Sequence, residues 1–523
     1  MPCIVDLPPE VMDHLGDFIH QRDITNIVLV SQHFRRHFSR LVWKEVSLKP
    51  RILKVDVDTL RANAASVRSL HYCGHLPVEY FGISFPSLSV LKLETRDTNR
   101  SEEERAQQEE KAQEEQQELD SNWARLVRLN STIRDINISM QEDPQLHIKA
   151  SEFWEAVGTS LHNPRRLKVG GGYHHIYQDS AKDMFWRAVS RFEEVEYSGY
   201  DHWQSEVASR VDFSRLKRLA YHAATMEETP RSPLEFISRC RGLTTLRLEC
   251  GSWEFPAGAF LAYLERSTWP LLDDLTLDYG TQLDEDFSAI IRELPPLKQF
   301  RLEPYRFGGH WFGPQSFGYL GRCHFATLRN LNMGRCASFS SRMALVALQN
   351  CHLLEEFSTQ RICVFELASS RPWVCLGLKR LASHFNGNLG RSGIPVFTQL
   401  SRLTNLEEID TSVMDCYETD YYESGGGYGT IDKGPQWRLD QGLERLSTLT
   451  QIRKLTLNKK GQDLVVEDLE WMLKQWPLLD TLAGNFSSDP SMQEQLVAMV
   501  EKRDLESINF ALNSNDDRTA TNV

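Results

Sequence analysis

The 523-residue chain carries a formal net charge of −13, with 41% apolar and 25% charged residues. Single cores stop growing near ~250–300 residues, so this length demands either several domains or an architecture that lengthens without enlarging its core. The mildly acidic balance argues against a general binder of nucleic-acid backbones, and no apolar run reaches the ~18–20 residues that span a bilayer. No basic segment precedes an apolar stretch in MPCIVDLPPE, so no secretory signal is expected. Ten cysteines are scattered without a CxxC pair, which reads as reduced thiols in a cytoplasmic or nuclear protein. A zinc site from Cys323-His324 and Cys351-His352 is weighed and set aside, so no metal or cofactor is expected.

In chain order, the first elements are two short helical patterns within LPPEVMDHLGDFIHQRDITNIVLVSQHF (7–34). Leu7, Val11, Leu15 and Phe18 fall at helical spacing, as do Ile24, Val28 and Leu29. Asp6 suits a helix cap, prolines in the first turn cost nothing there, and Glu10 complements the helix dipole. Arg22-Asp23 marks a second start. Helices this short cannot bury a core of their own.

From 43 onward a hexapeptide recurs, apolar at its first, fourth and sixth places. It runs from WKEVSL at 43 through VRSLHY at 67, LTTLRL at 243, LKQFRL at 297 and LKRLAS at 378 to LESINF at 505, seventeen copies in all. Between 164 and 406 nine successive intervals of 24–31 residues average about 27. Each interval also holds an amphipathic stretch, such as FSAIIRELPP (287–296), that ends at Pro or Gly. The pattern predicts strand, turn, helix, turn, with the first, fourth and sixth residues inward and the third and fifth outward. One such unit cannot cover its own apolar side, so neighbours must stack into a solenoid.

Two intervals are longer, at 45 and 46 residues. The first contains SEEERAQQEEKAQEEQQEL (101–119), a Glu- and Gln-rich stretch with no face to bury, read as a solvated surface insertion. The second contains YYESGGGYGTIDKGPQW (421–437), read as a mobile loop because no GK[ST] closes it as a phosphate loop. Tyr421, Tyr422, Tyr428 and Trp437 would offer aromatic contact area there.

No GxSxG, HExxH or kinase motif occurs, and GGGYHH (170–175) lacks a partner at ligand spacing. Carboxylate pairs such as Glu355-Glu356 fill the polar second and third places of the hexapeptide, which explains them without catalysis. The outward columns mix basic and acidic residues, which suits recognition of a protein by complementary polar pairs. Arg218, Arg247, Arg301, Glu356, Arg380 and Asp410 are the candidate contacts. The first three are compatible with a phosphate without demanding one.

The repeat resembles the leucine-rich repeat, in its longer, cysteine-containing variety with a helical convex side, over about 43–512. The N-terminal segment resembles the F-box: Leu7-Pro8, Glu10, an aliphatic helix, Asp23-Ile24, Leu29-Val30-Ser31, Phe34 and Trp43. It departs from the family where Val30-Ser31-Gln32-His33-Phe34 replaces the usual Val-Cys-Lys/Arg-x-Trp, and in carrying His14 and Gly16 in the first helix.

The resemblance implies an α/β leucine-rich-repeat solenoid, with a parallel β concave face and a helical convex face, preceded by an all-α F-box. The domains would be 1–42 (F-box) and 43–512 (solenoid, with insertions about 97–121 and 415–438), then a disordered tail at 513–523. It also implies a non-catalytic, substrate-recruiting subunit of an SCF-type (cullin–RING) ubiquitin ligase. A Skp-type adaptor, and through it a cullin, would bind at Leu7, Pro8, Glu10, Val11, Leu15, Ile24, Val28 and Leu29. Val30, Phe34 and Trp43 would pack internally against the first repeat, and the repeats would hold a protein substrate. The alternative is a repeat scaffold with no role in ubiquitination.

Overall fold

The structure, a computed structural model, describes residues 8–19, 21–49, 55–73, 76–95, 109–140, 151–170, 179–199, 210–223, 233–249, 257–278, 283–302, 312–387, 393–412, 434–457, 462–503 and 506–508. Asp6, Leu7, Asn509 and the 513–523 tail lie outside the described residues. So do 101–108 of the acidic stretch, 171–175 of GGGYHH, and 421–433 of the Gly/Tyr loop. The chain divides into two compact units, Met1–Glu249 and Cys250–Val523.

The first unit opens with three short helices, α1 (Pro9–Phe18), α2 (Gln21–Val30) and α3 (Gln32–Val42). Pro9 stands at the first helical position, where its missing N–H is no loss, and the Pro8 carbonyl accepts the Val11 and Met12 amides. Asp23 lies inside the first turn of α2, where it complements the dipole, and is not its cap. The break between α2 and α3 is made by Ser31, whose hydroxyl accepts the Phe34 N–H at 3.1 Å. Among the described residues, Met12, Ile24 and Phe38 form the buried core of this bundle, with Leu15, Ile27, Val28, Phe34 and Leu41 packed around it.

All seventeen hexapeptides form strands. In the first unit these are β1 (Glu45–Leu48), β2 (Ser69–Cys73), β3 (Val90–Thr95), β4 (Asp135–Met140), β5 (Arg166–Gly170), β6 (Glu194–Gly199), β7 (Arg218–Ala223) and β8 (Thr245–Glu249). In the second they are β9 (Asp274–Asp278), β10 (Gln299–Leu302), β11 (Asn330–Met333), β12 (Glu356–Cys363), β13 (Arg380–Asn386), β14 (Glu408–Asp410), β15 (Lys454–Thr456), β16 (Thr481–Ala483) and β17 (Glu506–Ile508). Within each unit every neighbouring pair is parallel and, from β1 to β16, aligned third place to third place, as in Glu194↔Arg218 and Glu356↔Arg380; β17 is offset by one, with Thr481 opposite the second-place Glu506. The second-place carbonyl of one repeat accepts two amides of the next, as when Arg134 and Asp135 both donate to Ser89. That shared acceptor locks the register. Fourth-place residues from Val46 to Leu482 are each at most 9% exposed. With helices backing the parallel strands, the chain is an α/β leucine-rich-repeat solenoid.

The sixth place departs from the expected pattern in three consecutive repeats, where Thr359, Ser383 and Thr411 stand in an apolar position yet remain buried. Thr411 meets the cost by donating to the Thr456 carbonyl. Buried polar side chains also tie repeats together. Asn130 accepts the Phe85 amide at 2.5 Å and donates to the Ile83 and Leu126 carbonyls. The Asp284 carboxylate accepts amides of Gly313, Gln315 and Ser316 at the start of the next repeat's helix, Pro314–Cys323.

The acidic stretch does not end as an insertion. Helix Glu109–Leu129 runs unbroken from it into Trp123, Ala124, Leu126 and Val127, which are buried as a repeat helix. Trp123 meets Phe153 at 6.0 Å, Trp154 meets Phe185 at 4.8 Å, and Trp186 meets Phe236 at 4.9 Å, so an aromatic row joins successive helices of the first unit. No helix among the described residues is long and apolar enough to cross a membrane.

Candidate functional site

Two surfaces carry the candidate residues. The first is on the N-terminal bundle, where a three-residue core leaves large apolar side chains in solvent. Phe18 is 77% exposed, Val30 70%, Leu29 69% and Val11 42%. Val11 and Phe18 share one face of α1 at i, i+7, with half-buried Leu15 between them. Of the expected contacts, Val11 and Leu29 face solvent, Pro8 is exposed, and Leu15 and Val28 are shared between surface and core. Glu10 lies in α1.

Two assignments are corrected. Ile24 is 3% exposed between Met12 and Phe38, because an aliphatic residue one turn into α2 is needed to close the bundle. Val30, expected inside, points out because the helix ends there at the Ser31 cap. Phe34 packs on the bundle's own core, and Trp43 is half-buried.

The second surface is the outward sheet face. In the first unit many of its charges are paired. Arg218 Nη1 meets Glu194 at 3.0 Å, Lys168 meets Glu196 at 2.5 Å, and Glu249 takes both His222 and Arg247. Burial pushes the Glu249 carboxyl up, but the His222 hydrogen bond and the Arg247 charge outweigh it and hold it below the usual range. Desolvation lowers His71 despite Glu94 at 3.0 Å. Arg218 and Arg247 stand on adjacent strands but in different rows, each on its own carboxylate. A phosphate would have to displace those partners, so the geometry does not favour the phosphate option.

The second unit concentrates the other four candidates. Arg301, Glu356, Arg380 and Asp410 line one hollow of about 230 Å³, with Asn330, Asn332, Glu408 and Lys454. Its floor is low because Ser358 and Ala382, the fifth-place residues of β12 and β13, are small. Its wall is the third-place row. Asn330 donates to Glu356 at 2.5 Å, Arg380 Nη1 meets Glu356 at 2.8 Å, and Arg380 Nε lies 3.4 Å from Glu408. Glu355, one place before Glu356, is held below the usual carboxylate range by Lys379 and Arg329 at 3.0 and 2.6 Å.

Trp437 belongs to neither surface. It is buried against Phe397 at 5.4 Å, which withdraws it as a contact residue. Both nitrogens of His324 bond to backbone, Nδ1 accepting from Leu297 and Nε2 donating to the Ile291 carbonyl. Among the described residues no group of three or more His, Cys, Asp or Glu is placed to hold a metal.

No family model and no curated protein matches the sequence. Solved structures that are similar include one from the Rad7 and Elc1 complex of yeast, with a TM-score of 0.43 and 12% identity over 93% of this chain and 96% of that one. Another is the leucine-rich repeat-containing protein LegL7 from Legionella pneumophila, with a TM-score of 0.33 and 9% identity over 69% of this chain and 97% of that one. At these scores neither bears on what this chain binds.

Proposed function

We propose that the chain is the substrate-recruiting subunit of an SCF-type ubiquitin ligase. The N-terminal bundle serves as an F-box on a Skp-type adaptor, and the sheet face receives a protein substrate. The observation that carries this reading is the bundle's exposed apolar set, Val11, Phe18, Leu29 and Val30. A bundle that served only to cap the first repeat would need one apolar side, whereas this one has a core behind and apolar residues in front. Such residues on a soluble element mark a contact with another protein. The order of motifs around them, Leu7-Pro8 to Trp43 followed directly by repeats, names the partner class.

The mechanism is positioning. The repeats hold the substrate for the ligase and raise the effective concentration of its lysines, with no covalent step in this chain. Free, mostly buried thiols at Cys73, Cys240, Cys336, Cys351 and Cys375 support a place in the cytoplasm or nucleus.

The triple variant Val11→Asp, Leu29→Asp, Val30→Asp changes exposed positions and leaves the three core residues intact. Co-purification of the adaptor is expected to fall at least tenfold with an unchanged thermal melt. Full retention of the adaptor by a folded variant would sink the F-box reading. Recovery of cullin alongside the adaptor separates the ligase subunit from a scaffold.

A further inference from the structure

The hollow on the second unit's sheet face contains a carboxylate that its neighbours do not match. Along the third-place row the charges alternate, Glu356, Arg380, Glu408, Lys454, and Arg380 is held between its two carboxylates. Along the fifth-place row Asp410 has Ala382 on one side and Thr456 on the other, neither of them charged. Asp410 Oδ1 accepts the Ser412 N–H at 2.8 Å and its hydroxyl at 2.6 Å, while Oδ2 has no partner among the described residues. Glu408, two residues earlier on the same strand face, offers a second carboxylate about 7 Å away, although Lys454 stands opposite it and competes. Of the hollow's cations, Arg380 is held by its pairs and Arg301 has an existing interaction, while Lys454 stands opposite Glu408 on the next strand without an ion pair to it. The volume of about 230 Å³ far exceeds one water's share of ~30 Å³, so a side chain can enter.

We propose that this hollow seats a lysine or arginine side chain of the protein substrate, with its aliphatic stem over Ser358 and Ala382 and its cationic head on Asp410. The proposal rests on the receptor reading for the source of that side chain and adds its chemistry. A carboxylate or phosphate in the same place would face Asp410 and Glu408 and be repelled, whereas an ammonium or guanidinium makes a charge-assisted hydrogen bond. The small fifth-place pair is what lets a long stem lie down there.

The test selects a random linear peptide library on the immobilised full chain and on three variants. Asp410→Asn keeps the Oδ1 turn to Ser412 and removes the charge. Ser358→Trp fills the floor, and Asp410→Lys inverts the sign. Selection on the unmodified chain is expected to enrich Lys and Arg over Asp and Glu about tenfold at one peptide position. That preference should be lost in Asp410→Asn and Ser358→Trp, and reversed in Asp410→Lys. Enrichment of acidic or phosphorylated peptides, a basic preference that survives Asp410→Asn, or no selection at all overturns the proposal. Should Ser358→Trp fail to fold, the near-isosteric Asp410→Asn decides the outcome alone. Adaptor co-purification, measured in parallel, reports separately on the ligase reading: its loss leaves a basic selection standing, and an acidic selection leaves the adaptor contact standing.

Discussion

His324 lies fully buried between repeats, its ring spending Nδ1 on the Leu297 amide and Nε2–H on the Ile291 carbonyl. Burial lowers its basicity below the usual value of 6.5, and the Ile291 bond offsets this only in part. Above pH ~6.5 the ring is neutral in both folded and unfolded chains and adds no pH dependence. As pH falls below that value, the unfolded chain takes up a proton that the fold refuses, so stability declines until the lower folded value is passed. Urea midpoints of the parent should therefore drop more steeply between pH 7.5 and 5.5 than those of His324→Gln. His324→Ala should cost about 2–4 kcal/mol at pH 7.5, since it strands two buried backbone groups. Asp284 works in the opposite charge state. Burial raises its carboxyl, but the Ser316 hydroxyl and the amides of Gly313, Ser316 and Gln315 outweigh it, leaving the group below the usual carboxylate range. Its contribution is complete above pH ~4 and fades as pH falls through the folded value. Asp284→Asn should lose about 1 kcal/mol at neutral pH, with the gap from the parent closing in acid. Neither role was legible in the sequence, because nothing in the LDED that precedes FSAIIRELPP or in a lone Cys-His doublet says which backbone groups of the next repeat will need a partner.

Among the elements, the strands were the most legible. A six-residue unit with two outward and three inward places has one way to lie in a parallel sheet, and the spacing of its copies fixes their neighbours. Helix starts were not, since Ser31 splits what reads as a continuous run from Ile24 to Phe34, and that split turns Val30 outward. The acidic stretch misled by composition, because a helix polar all round at Glu109 continues into Trp123 without any sequence break. FWEAV (153–157) and FWRAV (185–189) are near-copies, and their Phe and Trp build the aromatic row of the first unit. Trp154→Ala should cost about 3–5 kcal/mol in denaturant melts, since it opens a cavity beside Phe153 and Phe185. The bundle stands at the other extreme. With three buried residues among those described, it should exchange its backbone amides faster than β4–β8 in hydrogen-exchange mass spectrometry, and the proposed adaptor should slow it selectively. Equal protection of α1 and β6 in the free chain would contradict the bundle's thin core.

At the scale of the molecule, the division into Met1–Glu249 and Cys250–Val523 puts the bundle in one compact unit and the hollow in the other. Each surface is built on its own set of buried residues, so the two proposed binding functions should be separable. The Val11→Asp, Leu29→Asp, Val30→Asp variant should keep the peptide selection of the parent. Asp410→Asn should keep its adaptor, and a variant of one surface that abolishes both readouts would contradict this.

The sequence by itself determined the repeat, its register and the resemblance of the first forty residues, because apolar periodicity is a local code that burial must satisfy. It also placed six candidate contacts on the outward face, since the third and fifth places cannot point inward. Only the tertiary structure decided which of them matter together. Ion pairing depends on what the next strand presents, and that neighbour lies 21 to 46 residues away along the chain. So Arg218 and Arg247 became paired charges on separate rows, Ile24 became core, and Ser358 and Ala382, too small to draw notice in the sequence, opened the hollow that leaves Asp410 unmatched.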